Sequence, residues 1–242
     1  AGANAGLLIP WRNDSMEPVR TRYATATATA ATESALSTNK VLRNTYMLLA
    51  ATLLFSALTA GASMALNLPH PGLVITLVGY FGLLFLTSKF RNSAMGIVCI
   101  FALTGFMGLT LGPIISAYLQ FLPNGGQVVM TAFGITGATF VGLSAYAIKS
   151  GRDFSFMGGF LTIGILGAFL LGLIAIFFNM PALSLAVSGM FVLAMGGLIL
   201  FQTSEIVRGG ETNYIMATVT LFVSIYNLFT SLLHILGVMG DE

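Results

Sequence analysis

Long apolar stretches, separated by short polar breaks, make up most of this chain from Thr45 onward. Seven of them approach the roughly 17–25 residues that a membrane-spanning helix needs. They cover residues 45–68, 73–88, 94–121, 127–148, 156–178, 183–204 and 215–237. Only 7% of the 242 residues are charged, whereas a soluble domain has about a quarter. We therefore predict an all-α membrane protein with seven transmembrane helices.

Basic residues lie on alternate sides of these predicted spans. Two follow the second span, two follow the fourth and one follows the sixth, while the remaining five precede the first. In order they are Arg12, Arg20, Arg22, Lys40, Arg43, Lys89, Arg91, Lys149, Arg152 and Arg208. Because loops rich in Lys and Arg stay in the cytoplasm, the pattern predicts a cytoplasmic N-terminus and a periplasmic C-terminus.

The N-terminal segment divides into two parts that we interpret differently. Residues 1–15 precede Met16, a candidate initiator, and we interpret them as an expression or upstream-start remnant. Residues 16–40 are rich in Ala, Thr and Ser without apolar periodicity, which is typical of a disordered tail, here on the cytoplasmic side. The rest, residues 41–242, is predicted to form one seven-helix transmembrane domain.

The third span contains the run FMGLTLGPIISAY, residues 106–118, in which small residues precede a proline. Gly105, Gly108 and Gly112 lie on one face of a helix, where they would let a neighbouring helix approach closely. Pro113 removes the hydrogen bond to the Leu109 carbonyl and is expected to kink the helix. Freed backbone at membrane depth must be buried in protein or line a cavity, so a structural kink and a kink beside an ion path both stay open.

The fourth and fifth spans carry similar stripes of small residues. Gly134, Ala138 and Gly142 lie in register in one span, and Gly164, Ala168 and Gly172 in the other. Such stripes favour close helix packing in lipid. We predict that both stripes pack inside the bundle.

Polar side chains near the last two spans are the candidates for an ion path or sensor: Gln202, Glu205, Ser224 and Asn227. No Asp, Glu, Lys or Arg lies mid-span, which argues against ion-coupled transporters with buried ionisable relays. Two simpler interpretations stand beside a path. Glu205 could pair with Arg208 at i+3, and Asn227 could make an interhelical hydrogen bond.

Catalytic and metal-binding arrangements find little support in the sequence. Ser144 and His234 would be a serine–histidine pair, but the predicted topology puts them near opposite sides of the membrane, and such a pair must approach to about 3 Å. The single cysteine, Cys99, and the two histidines match no metal-ligand spacing. We predict a protein that is not an enzyme and has no cofactor.

Several segments resemble the Bax inhibitor family of seven-span proteins, and most closely its bacterial YccA-like branch. They are STNKVLRNTY, LPHPGLVITLVG, FMGLTLGPIISAY, LFQTSEIVRGGETNY and LFVSIYNLFTSLLHILG, so the resemblance runs from about Ser37 to Gly237. For that branch it implies a bacterial inner-membrane protein that is a partner, substrate and modulator of the ATP-dependent membrane protease FtsH. A tail at residues 16–40 would give such a protease an unstructured handle. The expected partners are therefore this protease and the lipid bilayer, and no nucleic-acid partner is expected.

Other branches of the family imply a different function, a calcium leak gated by pH. There, an acid in span six and one in span seven form the sensor, and the matching positions here are Gln202 and Ser224. Neither ionises, whereas two close carboxylates would share a proton and raise one pKa. The alternative function is therefore a calcium or cation leak without the di-acid sensor, with calcium only as a permeating ion.

Overall fold

The computed structural model describes the backbone of residues 17–240 and the side chains of residue 38 and residues 40–240. Seven α-helices make up its regular structure, as predicted. They are α1 (Glu17–Ala65), α2 (Leu73–Lys89), α3 (Ala94–Phe121), α4 (Gly125–Ser150), α5 (Met157–Phe177), α6 (Pro181–Arg208) and α7 (Tyr214–Met239). Six contain a stretch long and apolar enough to cross a membrane, namely Lys40–Ala65 within α1 and all of α3 to α7. The shorter α2 has 17 residues.

The N-terminal part of α1 belongs to a unit of its own. The chain divides between Ser37 and Thr38, and the backbone of residues 17–37 is helical where the sequence favoured an irregular tail. Alanine has the highest intrinsic helix propensity and favours a helix here, although the interspersed threonines do not. The tail over residues 16–40 and the domain boundaries stay predictions, and the interpretation of residues 1–15 lies outside the described residues.

In the unit that begins at Thr38, α7 lies among α3, α4 and α6. Its side chains Leu221, Phe222 and Leu228 are almost completely buried, and they pack with Leu103 of α3 and Ile199 of α6 in the largest core cluster. Half of the α3 span (50%) is buried, against 17% of the α5 span. The third helix is therefore central, and α5 is peripheral.

The stripe of small residues on α4 points away from the bundle, so that part of the packing prediction is wrong. Gly134 and Gly142 have open space beside them, because the buried face of α4 carries Val128, Ala132 and Thr136 instead. A stripe of small residues fixes a face of the helix but not the direction in which that face points.

The stripe of small residues on α5 packs inside the bundle along only part of its length. Ala168 is fully buried, and a Cβ on Gly172 would lie 3.5 Å from Val187 of α6, an ordinary packing distance. Gly164 has open space beside it. Only the second half of this stripe packs inside the bundle.

Asn213 fixes the start of α7 and joins two loops. Its side-chain oxygen accepts a hydrogen bond from the Met216 backbone N–H at 3.0 Å, which is the standard role of a helix N-cap. Its amide nitrogen donates to the Arg91 carbonyl at 3.0 Å and to Asn92 Oδ1 at 2.8 Å. The loop before α7 is thereby held against the loop between α2 and α3.

Candidate functional site

The three glycines of α3 face α1. A Cβ on Gly108 would collide with the Ser56 carbonyl oxygen and with Thr59 Oγ1. A Cβ on Gly112 would lie 2.7 Å from the Ala60 carbonyl oxygen, again inside contact distance. A Cβ on Gly105 would meet the Phe55 ring at 2.7 Å. The absence of side chains at these positions therefore lets the two helix backbones approach each other directly.

Pro113 lies within α3, which continues as one helix from Ala94 to Phe121. A proline has no N–H to donate to the carbonyl four residues earlier, here Leu109. Ser63 of α1 supplies the missing donor, because its hydroxyl donates to the Leu109 carbonyl oxygen at 2.9 Å. Ser63 is only 1% exposed, so this replacement hydrogen bond is buried inside the bundle.

The four polar candidates lie on α6 and α7. Gln202 is 6% exposed, and among the described residues its amide nitrogen has no hydrogen-bond partner. Ser224 is fully buried and donates to the Thr220 carbonyl at 2.7 Å. Asn227 donates to the Val223 carbonyl at 2.8 Å. This bond lies within α7, so it is not the interhelical hydrogen bond that the sequence favoured.

The predicted ion pair between Glu205 and Arg208 does not form, so this interpretation of Glu205 is wrong. That guanidinium pairs with Asp153, with Nη2 and Oδ2 3.0 Å apart, because the segment between α4 and α5 folds against the end of α6. The Ser204 hydroxyl fastens the same segment by donating to the Arg152 carbonyl at 2.9 Å. Hydrogen bonds from Ser155, and then the charge of Arg208, hold the pKa of Asp153 below its ordinary value.

A polar contact between α1 and α6 could not be predicted from the sequence. Tyr46 of α1 lies near Thr203 of α6, with their hydroxyl oxygens 3.4 Å apart. Its ring lies 6.0 Å from that of Phe140 of α4. Nearby, the Thr218 hydroxyl of α7 lies 3.3 Å from the Thr45 carbonyl oxygen of α1. Hydroxyl groups thus join α1 to α6 and α7, and a ring contact joins α1 to α4.

Ser188 and His234 form a second polar contact that the sequence did not indicate. Ser188 Oγ lies 2.7 Å from His234 Nδ1, and it also lies 3.1 Å from the Ser184 carbonyl oxygen, to which it can donate. The histidine is thus paired with a serine of α6 rather than with Ser144. A hydrogen bond between α6 and α7 explains this contact without catalysis.

A cavity of about 540 Å³ lies between five helices. Its lining comes from α2 (Thr76, Leu77, Tyr80, Phe81), α3 (Phe106, Met107, Thr110), α5 (Thr162, Ile165, Leu166, Phe169), α6 (Phe191, Met195, Leu198) and α7 (Val223, Tyr226, Asn227). Of the four polar candidates, Asn227 alone lines it. The described part of the chain contains no group of three His, Cys, Asp or Glu side chains that could hold a metal ion.

The fold is that of a multi-span α-helical membrane protein, whose helices pack in one bundle around a buried core. The family model described as "Inhibitor of apoptosis-promoting Bax1" matches residues 38–241, so the chain belongs to the Bax inhibitor family.

Three relatives illustrate how similar the chain is to other bacterial proteins. It is 55% identical to "Modulator of FtsH protease YccA" of Escherichia coli, over 84% of this chain and 92% of that protein. It is also 55% identical to a protein of Pseudomonas aeruginosa, over 84% of this chain and 90% of that one. A membrane protein of Vibrio cholerae is 48% identical over 89% of this chain and 97% of its own length.

Proposed function

We propose that this chain is an inner-membrane protein that binds an FtsH-type membrane protease and restrains its action on other membrane substrates. The observation that carries the proposal is the 55% identity to the E. coli protein named as a modulator of that protease, over 92% of its length. Another E. coli relative, equally similar, is named an inner membrane protein. The role is one of binding rather than of catalysis.

The orientation that fits this role follows from the charges. With the N-terminus in the cytoplasm, Lys89, Arg91, Lys149, Arg152 and Arg208 all lie on the cytoplasmic side. The loops that contain them are held by specific bonds, through Asn213 to Arg91 and through Arg208 to Asp153. An ordered cytoplasmic surface of this kind is suited to a protein partner.

Competition for the protease gives the physical mechanism. A segment near residues 16–39 would be engaged by the protease, and the bundle would then resist extraction. The close contact of Gly108 with the α1 backbone and the Ser63–Leu109 hydrogen bond tie the first span to the centre of the bundle. A protease pulling from the N-terminus would have to break these contacts first, which slows its progress and keeps it from other substrates.

The lifetime of a known membrane substrate of FtsH in cells tests the proposal. We would compare cells without the chain, with the full chain, and with residues 16–39 replaced by a Gly/Ser segment of equal length. The full chain should lengthen the substrate's lifetime, and the replacement should alter that effect. An unchanged lifetime, together with no crosslink to the protease in native membranes, would remove the proposal.

A leak for calcium or another cation is the second candidate, and two observations favour keeping it. The bundle contains a cavity lined by Asn227, and the buried Gln202 amide nitrogen has no partner among the described residues. Calcium flux into liposomes containing the purified chain tests it. Flux no greater than in empty vesicles, and unchanged by Glu205→Gln and Asn227→Leu, would exclude the leak.

A further inference from the structure

The cavity between α2, α3, α5, α6 and α7 is the feature with the clearest chemistry that the proposed function leaves unused. Its volume of about 540 Å³ lies within the 300–1,000 Å³ typical of small-molecule sites. Its floor is apolar and buried, since Met107 is 4% exposed and Met195 2% exposed. A pocket of this size and burial suits a small molecule better than water.

The cavity opens sideways, between α2 and α5. These two helices pack on different neighbours, α2 on α3 and α5 on α6. At the level of the cavity they meet through an edge-to-face contact between the Phe81 and Phe169 rings, whose centres are 5.7 Å apart. Phe81, Thr162 and Leu166 line the cavity and are exposed. For a bundle embedded in a bilayer, this mouth faces lipid.

The lining excludes charged ligands and favours planar rings. It contains no Asp, Glu, Lys, Arg or His, so a carboxylate or an ammonium group would be buried without a counter-charge. Aromatic side chains come from α2, α3, α5, α6 and α7, namely Tyr80, Phe81, Phe106, Phe169, Phe191 and Tyr226. Such rings interact with another ring by offset stacking or edge contacts, which a saturated acyl chain cannot do.

The threonine and Tyr226 hydroxyls of the lining are occupied by protein partners. Thr76, Thr110 and Thr162 each donate to a carbonyl of the chain at 2.7 to 2.8 Å. Because the Thr110 proton is used in this way, the Tyr226 hydroxyl donates to Thr110 Oγ1, at 3.3 Å.

Two donors stay free for a bound molecule. Among the described residues, the hydrogen bond of Asn227 to Val223 uses one of its two amide hydrogens, and the Tyr80 hydroxyl forms no hydrogen bond. A ligand that accepts hydrogen bonds would therefore be held by Tyr80 and Asn227.

We propose that this cavity binds a neutral, lipid-soluble molecule of the quinone class, which enters from the bilayer between α2 and α5. Its carbonyl oxygens accept hydrogen bonds from Tyr80 and Asn227, its ring lies among the aromatic side chains, and its apolar tail leaves past Phe81, Thr162 and Leu166. The proposal concerns binding only and requires no redox step. It stands independently of the protease.

Binding of a benzoquinone with a decyl tail to the purified full chain in phosphatidylcholine nanodiscs tests the proposal. Binding should be saturable. Thr162→Phe, which fills the mouth, should weaken it about tenfold or more. Ile163→Phe is the matched control, because Ile163 is 75% exposed and does not line the cavity; it should bind as the parent does.

A second variant separates hydrogen bonding from simple partition into an apolar space. Tyr80→Phe keeps the ring, removes one donor and breaks no hydrogen bond of the described chain, so it should fold normally. It should weaken quinone binding about fivefold and leave unchanged the binding of decylbenzene, which has a ring and the same tail but no oxygen to accept a hydrogen bond. The proposal would be overturned if the Thr162 and Ile163 variants bound the quinone equally well, or if Tyr80→Phe weakened the binding of quinone and of decylbenzene to the same extent.

Discussion

The Ser63 hydroxyl of α1 donates a hydrogen bond to the Leu109 carbonyl oxygen of α3, at 2.9 Å. Leu109 is the residue whose carbonyl Pro113 leaves without its usual helical donor. The close approach that brings Ser63 there depends on Gly112, since a Cβ at that position would lie 2.6 Å from the Ser63 Cβ. The three residues thus depend on one another. Gly112 lets Ser63 approach, and Ser63 supplies the hydrogen bond that Pro113 removes.

These three residues give the first prediction, a double-mutant cycle. Ser63→Ala should lower the free energy of unfolding by about 1–2 kcal/mol, because it leaves a buried carbonyl unsatisfied. In a Pro113→Ala background the restored N–H satisfies Leu109, and the same substitution should cost much less. Unfolding of the purified chain in mixed micelles measures both. Equal costs in the two backgrounds would show that Ser63 does not serve the Leu109 carbonyl.

Glycines on α3 and α4 should respond in opposite ways to the same substitution. Gly108→Ala places a methyl group against the Ser56 carbonyl and should destabilise the fold by about 1–3 kcal/mol, as overpacking does. Gly134→Ala is the matched control, because that glycine has open space beside it. It should be neutral or stabilising, since alanine favours the helix by about 0.5–1 kcal/mol. The same unfolding assay decides, and equal effects would contradict the packing of α3 on α1.

Asn213 combines two separable roles at the start of α7. Asn213→Ala should cost about 1–2 kcal/mol by removing the cap on Met216 and the bonds to the loop of Arg91 and Asn92. Asn213→Asp keeps the capping oxygen but not the two donated bonds, so it should protect the first turn of α7 without holding the loop. Hydrogen exchange at residues 91–92 and 214–217 distinguishes the two, and identical exchange in both variants would refute the division.

The Asp153–Arg208 pair should make a pH-dependent contribution to stability. Because the pKa of Asp153 is lowered in the folded chain, its contribution is present above the unfolded pKa of about 3.9 and is lost as the pH falls through the folded value. The pair is exposed, 45% and 47% for the two side chains, so the effect should be small and weaken with salt. Asp153→Asn compared with the parent at neutral and acid pH measures it. A difference that grows in acid would contradict the pair.

Gln202 should contribute nothing to the stability of the fold, as expected of a residue with a functional role. Its buried amide nitrogen lacks a partner among the described residues, and such a donor costs about 1–3 kcal/mol. Gln202→Leu should therefore raise the free energy of unfolding or leave it unchanged. A clear loss of stability would mean that the amide has a partner in the folded protein. Thr203→Val, which removes the contact with Tyr46, is the comparison that should destabilise.

The sequence by itself determined the elements of this protein. Apolar length and low charge are properties of each segment taken alone, because lipid requires every backbone polar group to be satisfied within a helix. Seven helices could therefore be predicted, including the short α2, and so could their approximate ends except for the start of α1. The positive-inside rule likewise predicts one side for the basic residues, since each acts at its own end of a span, and that orientation stays a prediction.

Only the tertiary structure decided which faces meet. The stripes on α3 and α4 look alike in sequence, yet Gly108 contacts α1 and Gly134 points outward. Arg208 forms an ion pair with Asp153 rather than with Glu205, which is nearer in sequence. Ser63 donates a hydrogen bond to Leu109, 46 residues away in the chain. The cavity is lined by three or four residues from each of five helices. Each of these contacts depends on the rotation of two helices relative to each other, and packing of the whole bundle sets that rotation.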